Sequence, residues 1–146
     1  MGEFGPEPVT FVRRLRVLVA DDDDDIRALL VAALQADGYI VMEARDGRDA
    51  IDRIAPSMLF DENLPAPDAI ITDIRMPGIS GSTLLAGLRA NGWATPIIVI
   101  TAYDIDQVRP ELEELGADAV FGKPFDVDDV RTALAHVLRW RRRDGR

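Results

Sequence analysis

Short apolar runs alternate with helical segments along this chain, and that alternation limits its fold more than any other feature. The runs are RVLVA (Arg16–Ala20), YIVME (Tyr39–Glu43), AIIT (Ala69–Thr72), IIVI (Ile97–Ile100) and AVF (Ala119–Phe121). Most are apolar on both faces, as strands of a parallel sheet are when helices cover both sides. Between them, Ile26, Leu29, Leu30, Ala33 and Leu34 recur at helical spacing, and Gly38 supplies a stop. Ala50, Ile51 and Ile54 do the same within 47–54, as do Leu84, Leu85 and Leu88 ahead of Asn91-Gly92. Val127, Val130, Leu134, Val137 and Leu138 form a last stripe, opened by Asp126 as N-cap. The spacing predicts an α/β protein of (βα)5 type, with a five-stranded, doubly wound parallel sheet and right-handed crossovers.

Two stretches fall outside this pattern. Residues 1–14 read as an N-terminal extension, partly vector-derived at MGEFG, and residues 141–146 as a basic tail or the start of a linker. The segment APSMLFDENLPAP (55–67) reads as a long connection, with prolines at 56, 65 and 67 ending the elements on either side. Composition removes several kinds of chemistry. With no cysteine there is no disulfide, thiol catalysis or cysteine-held zinc, and a single histidine rules out a multi-histidine metal site. The 26 acidic and 17 basic residues leave a net charge of −9, which disfavours direct nucleic-acid binding. No run approaches the ~18 apolar residues of a membrane span.

The chemistry-bearing residues fall at the ends of the runs. Asp21 and Asp22 follow the first run directly, Asp73 the third and Thr101 the fourth, and Lys123 comes two residues after the fifth. In a parallel sheet these ends share one edge, where open α/β sheets bind ligands at the point of strand-order reversal. With strand order 2-1-3-4-5, Asp21, Asp22 and Asp73 converge. Carboxylates so placed raise one another's cost of ionisation, and a hard divalent cation with oxygen ligands relieves it. A carboxylate nucleophile, a cation, a hydroxyl and an ammonium group are what phosphoryl transfer needs, because its demands are positioning and charge stabilisation.

Four motifs, LVADDDDDIRALL, IITDIRMPGISG, IIVITAY and FGKPF, stand in order on these strand ends. Through them residues 15–140 resemble the receiver domain of two-component response regulators, of the chemotaxis-type, flavodoxin-like fold. The resemblance implies that Asp73 is the phosphoacceptor. It implies that Asp22 ligates Mg²⁺ directly and Asp21 largely through water, joined by Asp73 and the backbone carbonyl of Arg75. Mn²⁺ or Ca²⁺ suits the same site. Thr101 and Lys123 would hold the phosphoryl group, with a cis peptide bond before Pro124, and Arg75 and Tyr103 would tune its lifetime. The implied protein is a cytoplasmic signalling switch that catalyses only its own phosphorylation and dephosphorylation. Its implied partners are a sensor histidine kinase or histidine phosphotransfer protein, an output partner that the sequence does not name, and a second copy on phosphorylation.

Some positions depart from the family pattern. Val120 stands where receivers usually carry a switch aromatic, leaving Phe121 or Tyr103 as substitutes, and Pro110 predicts a fourth helix that starts near it or is kinked. Asp23, Asp24 and Asp25 read as the solvated start of the first helix, and His136 as a surface residue. The alternatives are a haloacid-dehalogenase-type, Mg²⁺-dependent phosphatase and a receiver-like interaction module that is not phosphorylated. Asp21-Asp22-Asp23 fits the phosphatase D-x-D pattern. However, Asp25 stands where that family has Thr or Val, and no later acidic pair follows a hydrophobic strand.

Overall fold

The computed structural model describes residues 14–61 and 63–143. The N-terminal extension, apart from Arg14, and the tail, apart from the backbone of 141–143, lie outside the described residues. The elements run β1 (Arg16–Ala20), α1 (Asp24–Ala36), β2 (Ile40–Ala44), α2 (Gly47–Ala55), β3 (Ala69–Asp73), α3 (Gly81–Ala90), β4 (Ile97–Thr101), α4 (Ile105–Leu115), β5 (Ala119–Gly122) and α5 (Val127–Arg143). The five strands are parallel, in order β2-β1-β3-β4-β5, so the α/β, (βα)5, flavodoxin-like expectation holds.

The alternation of side chains along each strand builds two cores. Leu18, Ala20, Ile70, Ile97 and Val99 point to the face covered by α2, α3 and α4, where they meet Ile54, Leu85 and Leu112. Val17, Val19, Ile71, Ile98 and Ile100 point the other way, onto Leu30 and Leu34 of α1 and Val130 and Leu134 of α5. Each fully buried Val, Leu or Ile side chain contributes about 1.5–3 kcal/mol relative to exposure.

Several boundaries differ from the sequence reading. β2 starts at Ile40, because the Tyr39 amide still caps α1 by donating to the Leu34 carbonyl at 3.1 Å, and the first ladder bond runs from Ile40 to Leu15. Leu29 is 50% exposed, and the buried stripe of α1 is Arg27, Leu30 and Leu34. Pro56 does not end the second helical path. Its φ of −58° is helical, and the chain continues through a wide π-type turn, Pro56–Phe60, closed by the Asp61 amide on the Pro56 carbonyl. Proline removes a donor but not the helical backbone angle. Pro110 does not start α4 either. That helix opens at Ile105, because the Asp104 side chain caps the Asp106 amide, and Pro110 lies inside it. The reading of Asp126 fits the backbone, since its carboxylate accepts the Asp128 amide at 2.8 Å at the start of α5.

α1 and α5 are tied together at one edge by a two-pronged ion pair. Arg131 donates from Nε to Asp37 Oδ2 at 2.7 Å and from Nη2 to Asp37 Oδ1 at 2.6 Å. This fork holds the Asp37 carboxyl below the usual carboxylate range. A depressed folded-state pKa contributes stability above the unfolded value of about 3.9, and that contribution disappears as pH falls through the folded value. Asp37→Asn is therefore expected to lower the melting midpoint slightly at pH 7, with the difference from the wild type closing below about pH 4. A calorimetric pH series checks this, and a gap that stays constant with pH would disprove the electrostatic origin.

Candidate functional site

The strand register creates the site. β1 meets β3 through Ala20↔Thr72, and β4 meets β5 through Thr101↔Gly122. One step beyond those pairs lie Asp21, Asp73 and Lys123. Asp73 and Thr101 are the last residues of their strands rather than the first of the loops, which fixes their backbones in the ladder. The Lys123 amide donates to the Thr101 carbonyl at 2.7 Å, and the Lys123–Pro124 bond is cis.

The side chains then meet at close range. Lys123 Nζ lies 2.9 Å from Asp73 Oδ2 and 3.2 Å from Asp21 Oδ2, and the side chains of these residues are 15%, 5% and 2% exposed. Asp22, which is exposed, joins them, so that Asp21, Asp22 and Asp73 each offer a carboxylate oxygen within 4.8 Å of the others. Burial and the neighbouring Asp73 charge push the Asp21 carboxyl above its ordinary value, against the Asp23 amide and Lys123, which pull it down. Burial alone would lower the Lys123 pKa, but the hydrogen bonds and charges of Asp73 and Asp21 raise it overall, so its ammonium form is favoured.

Of the other residues singled out from sequence, Thr101 is fully buried, and its Oγ1 accepts the Tyr103 amide at 2.9 Å. The Arg75 amide donates to Asp73 Oδ1 at 3.2 Å. The Arg75 side chain turns outward over the Tyr103 ring, 4.6 Å from its centroid, and Nε donates to the Tyr103 hydroxyl at 2.6 Å. Asp23 caps α1 by accepting the Asp25 and Ile26 amides, and Asp24 and Asp25 form its first turn, so this part of the five-aspartate run stands at the helix start as expected. His136 is exposed on α5. Val120 is buried on the α2–α4 face, whereas Phe121 packs on the α1/α5 face, so Phe121 cannot stand in for an aromatic at 120.

Sequence reading missed Arg27. Its side chain is buried and donates to the Asp21 carbonyl, and the signal for it was a charge at the core-facing i, i+3, i+7 positions of Leu30 and Leu34.

The donor set is hard oxygen throughout, which suits Mg²⁺, Mn²⁺ or Ca²⁺ and not a thiophilic metal. With the ammonium of Lys123 beside it, the arrangement can hold a phosphoryl group and offer a carboxylate oxygen to phosphorus.

Comparison with known proteins agrees with this geometry. Residues 17–135 match the family described as the response regulator receiver domain. The chain is 36% identical over 125 residues to the response regulator MprA of Mycolicibacterium vanbaalenii, which covers 86% of this chain and 51% of that protein. The chain thus spans about half the length of such relatives. Among solved structures it resembles the receiver domain of the Francisella response regulator 1452, with a TM-score of 0.75 and 29% identity, covering 86% of this chain and 98% of that one. It also resembles a receiver domain from Clostridium thermocellum, with a TM-score of 0.73 and 26% identity over 88% and 97% of the two chains.

Proposed function

Because this chain belongs to the response regulator receiver domain family of two-component systems, we propose that it works as a phosphoryl-accepting switch with Asp73 as the acceptor. The observation that carries the reading is the meeting of Lys123 with Asp73 and Asp21, beside Asp22, at the strand ends. A carboxylate oxygen of Asp73 attacks phosphorus in line. The bond from phosphorus to the donor's histidine nitrogen breaks, its electron pair returns to the imidazole, and an acyl phosphate forms on Asp73. Lys123 then shifts its ammonium charge from the free carboxylate to the phosphoryl oxygens, and the Thr101 hydroxyl donates to them. Asp21, Asp22, Asp73 and the Arg75 carbonyl would hold a Mg²⁺ ion, which supplies charge neutralisation for the phosphoryl oxygens. Attack by water on phosphorus returns Asp73 and inorganic phosphate, with Arg75 and Tyr103, paired above the site, setting how long the acyl phosphate lasts.

The donor is a phosphohistidine on a sensor kinase or phosphotransfer protein. The output is a changed surface around α4 and α5, read by a partner or a second copy, and the setting is the cytoplasm. No helix among the described residues is long and apolar enough to cross a membrane. Family membership sets aside the phosphatase alternative, whose nucleophile would have been Asp21. Incubation of the wild type with Mg²⁺ and acetyl phosphate is expected to add about 80 Da, one phosphoryl group, by intact mass. An unmodified chain, with or without Mg²⁺, would instead support an interaction module that is not phosphorylated.

A further inference from the structure

Arg27 is a buried cation that the proposed chemistry does not use. It sits on the core-facing side of α1, and its guanidinium reaches the β1–α1 turn, the first turn of its own helix and β2. Nη1 donates to the backbone carbonyl of Asp21 at 2.7 Å, Nη2 to Asp24 Oδ1 at 2.6 Å and Nε to Glu43 Oε1 at 3.2 Å. Asp21 therefore has its peptide groups tied on both sides, since its own amide donates to the Ala44 carbonyl at the end of β2 at 3.1 Å. Its carboxylate is oriented as well, with Oδ1 accepting the Asp23 amide at 2.9 Å. This turn carries Asp21 and Asp22, and Arg27 is the only side chain among these contacts that joins it to both α1 and β2.

We propose that Arg27 is a positioning residue for the cation site, clamping the β1–α1 turn so that the Asp21 and Asp22 carboxylates are presented together. The inference rests on the reading of Asp21, Asp22 and Asp73 as a cation site. The clamp depends on shape as well as charge. A planar guanidinium can donate along three directions at once, here to the turn, to its own helix and to β2, while an ammonium at the end of a flexible stem serves them as a point charge. Groups that orient ligands without touching the metal are typically worth about ten-fold or more in affinity.

Arg27→Lys keeps the positive charge and removes the fork, so it isolates geometry from electrostatics. Mg²⁺ binding is measured by calorimetry, without any phosphoryl donor, on protein shown to be folded by circular dichroism and held well below its melting midpoint. Arg27→Lys is expected to bind Mg²⁺ roughly ten-fold more weakly than the wild type. Arg131→Gln, which breaks an ion pair remote from the site, is expected to bind it as the wild type does. Wild-type affinity in folded Arg27→Lys, or an equal loss in Arg131→Gln, would overturn the positioning role and leave Arg27 as a stabilising contact alone. A wild-type chain that binds no Mg²⁺ would overturn the cation reading itself, and that failure shows in the wild type before any variant is compared.

Discussion

Asp73→Asn is expected to abolish the phosphoryl adduct while leaving a folded protein. The acceptor must be an anionic oxygen able to form an acyl phosphate, and a carboxamide is too weak a nucleophile for that. The substitution is nearly isosteric at a 5%-exposed position at the end of β3, so the ladder around it has no reason to change. Intact mass after acetyl phosphate treatment should show the wild type gaining about 80 Da and the variant nothing. A second signature accompanies the loss. Asp73 is one of the groups that push the Asp21 carboxyl up, so its neutralisation should bring the Asp21 pKa down, as read by carboxyl NMR titration. An adduct that survives in Asp73→Asn would move the acceptor to Asp21 or Asp22.

The second large effect concerns a glycine. A Cβ on Gly81 would lie 2.2 Å from the backbone carbonyl oxygen of Asp73 and 3.0 Å from the Ile74 Cα. Both are backbone atoms that cannot rotate away. Gly81→Ala is expected to cost about 1–3 kcal/mol or more through overpacking, and to slow labelling by displacing the acceptor's own peptide. Gly87, on the same helix, provides the contrast, because nothing lies within 4 Å of a Cβ there. Gly87→Ala should stabilise the chain by roughly 0.5–1 kcal/mol through helix propensity, with labelling unchanged. Denaturant melts and labelling rates on the pair check this, and a harmless Gly81→Ala would contradict the close approach of α3 to β3.

The strand runs were legible because a doubly covered parallel strand leaves a local mark, a short β-branched run apolar on both faces. The convergence of Asp21, Asp73 and Lys123 was legible because strand order converts position in sequence into position along one edge. What escaped was whatever depends on partners far away in the chain. Arg27 lies in a stripe of apolar residues, and besides its helix neighbour Asp24 it is Glu43 on β2 and the turned-back Asp21 carbonyl that give its charge somewhere to go. Pro56 reads as a stop and Pro110 as a helix start or kink, yet helical backbone runs through both, with Met58 packed against the core and Leu112 buried in it. Phe121 looked interchangeable with an aromatic one position earlier, but a shift of one residue along a strand reverses the face.

The register that assembles the site also sets when it can exist. Lys123 and Asp73 are fifty positions apart in sequence, and they meet through pairings of parallel strands, each of which closes a long loop. Such non-local closures form late and slowly in folding, since chain entropy is lost before contacts repay it. Until β5 docks on β4 there is no ammonium beside the carboxylates, and until β1 and β3 pair the carboxylates themselves are dispersed. A nascent or partly unfolded chain therefore carries the aspartates but not the constellation, and completion of the fold is itself the condition for competence.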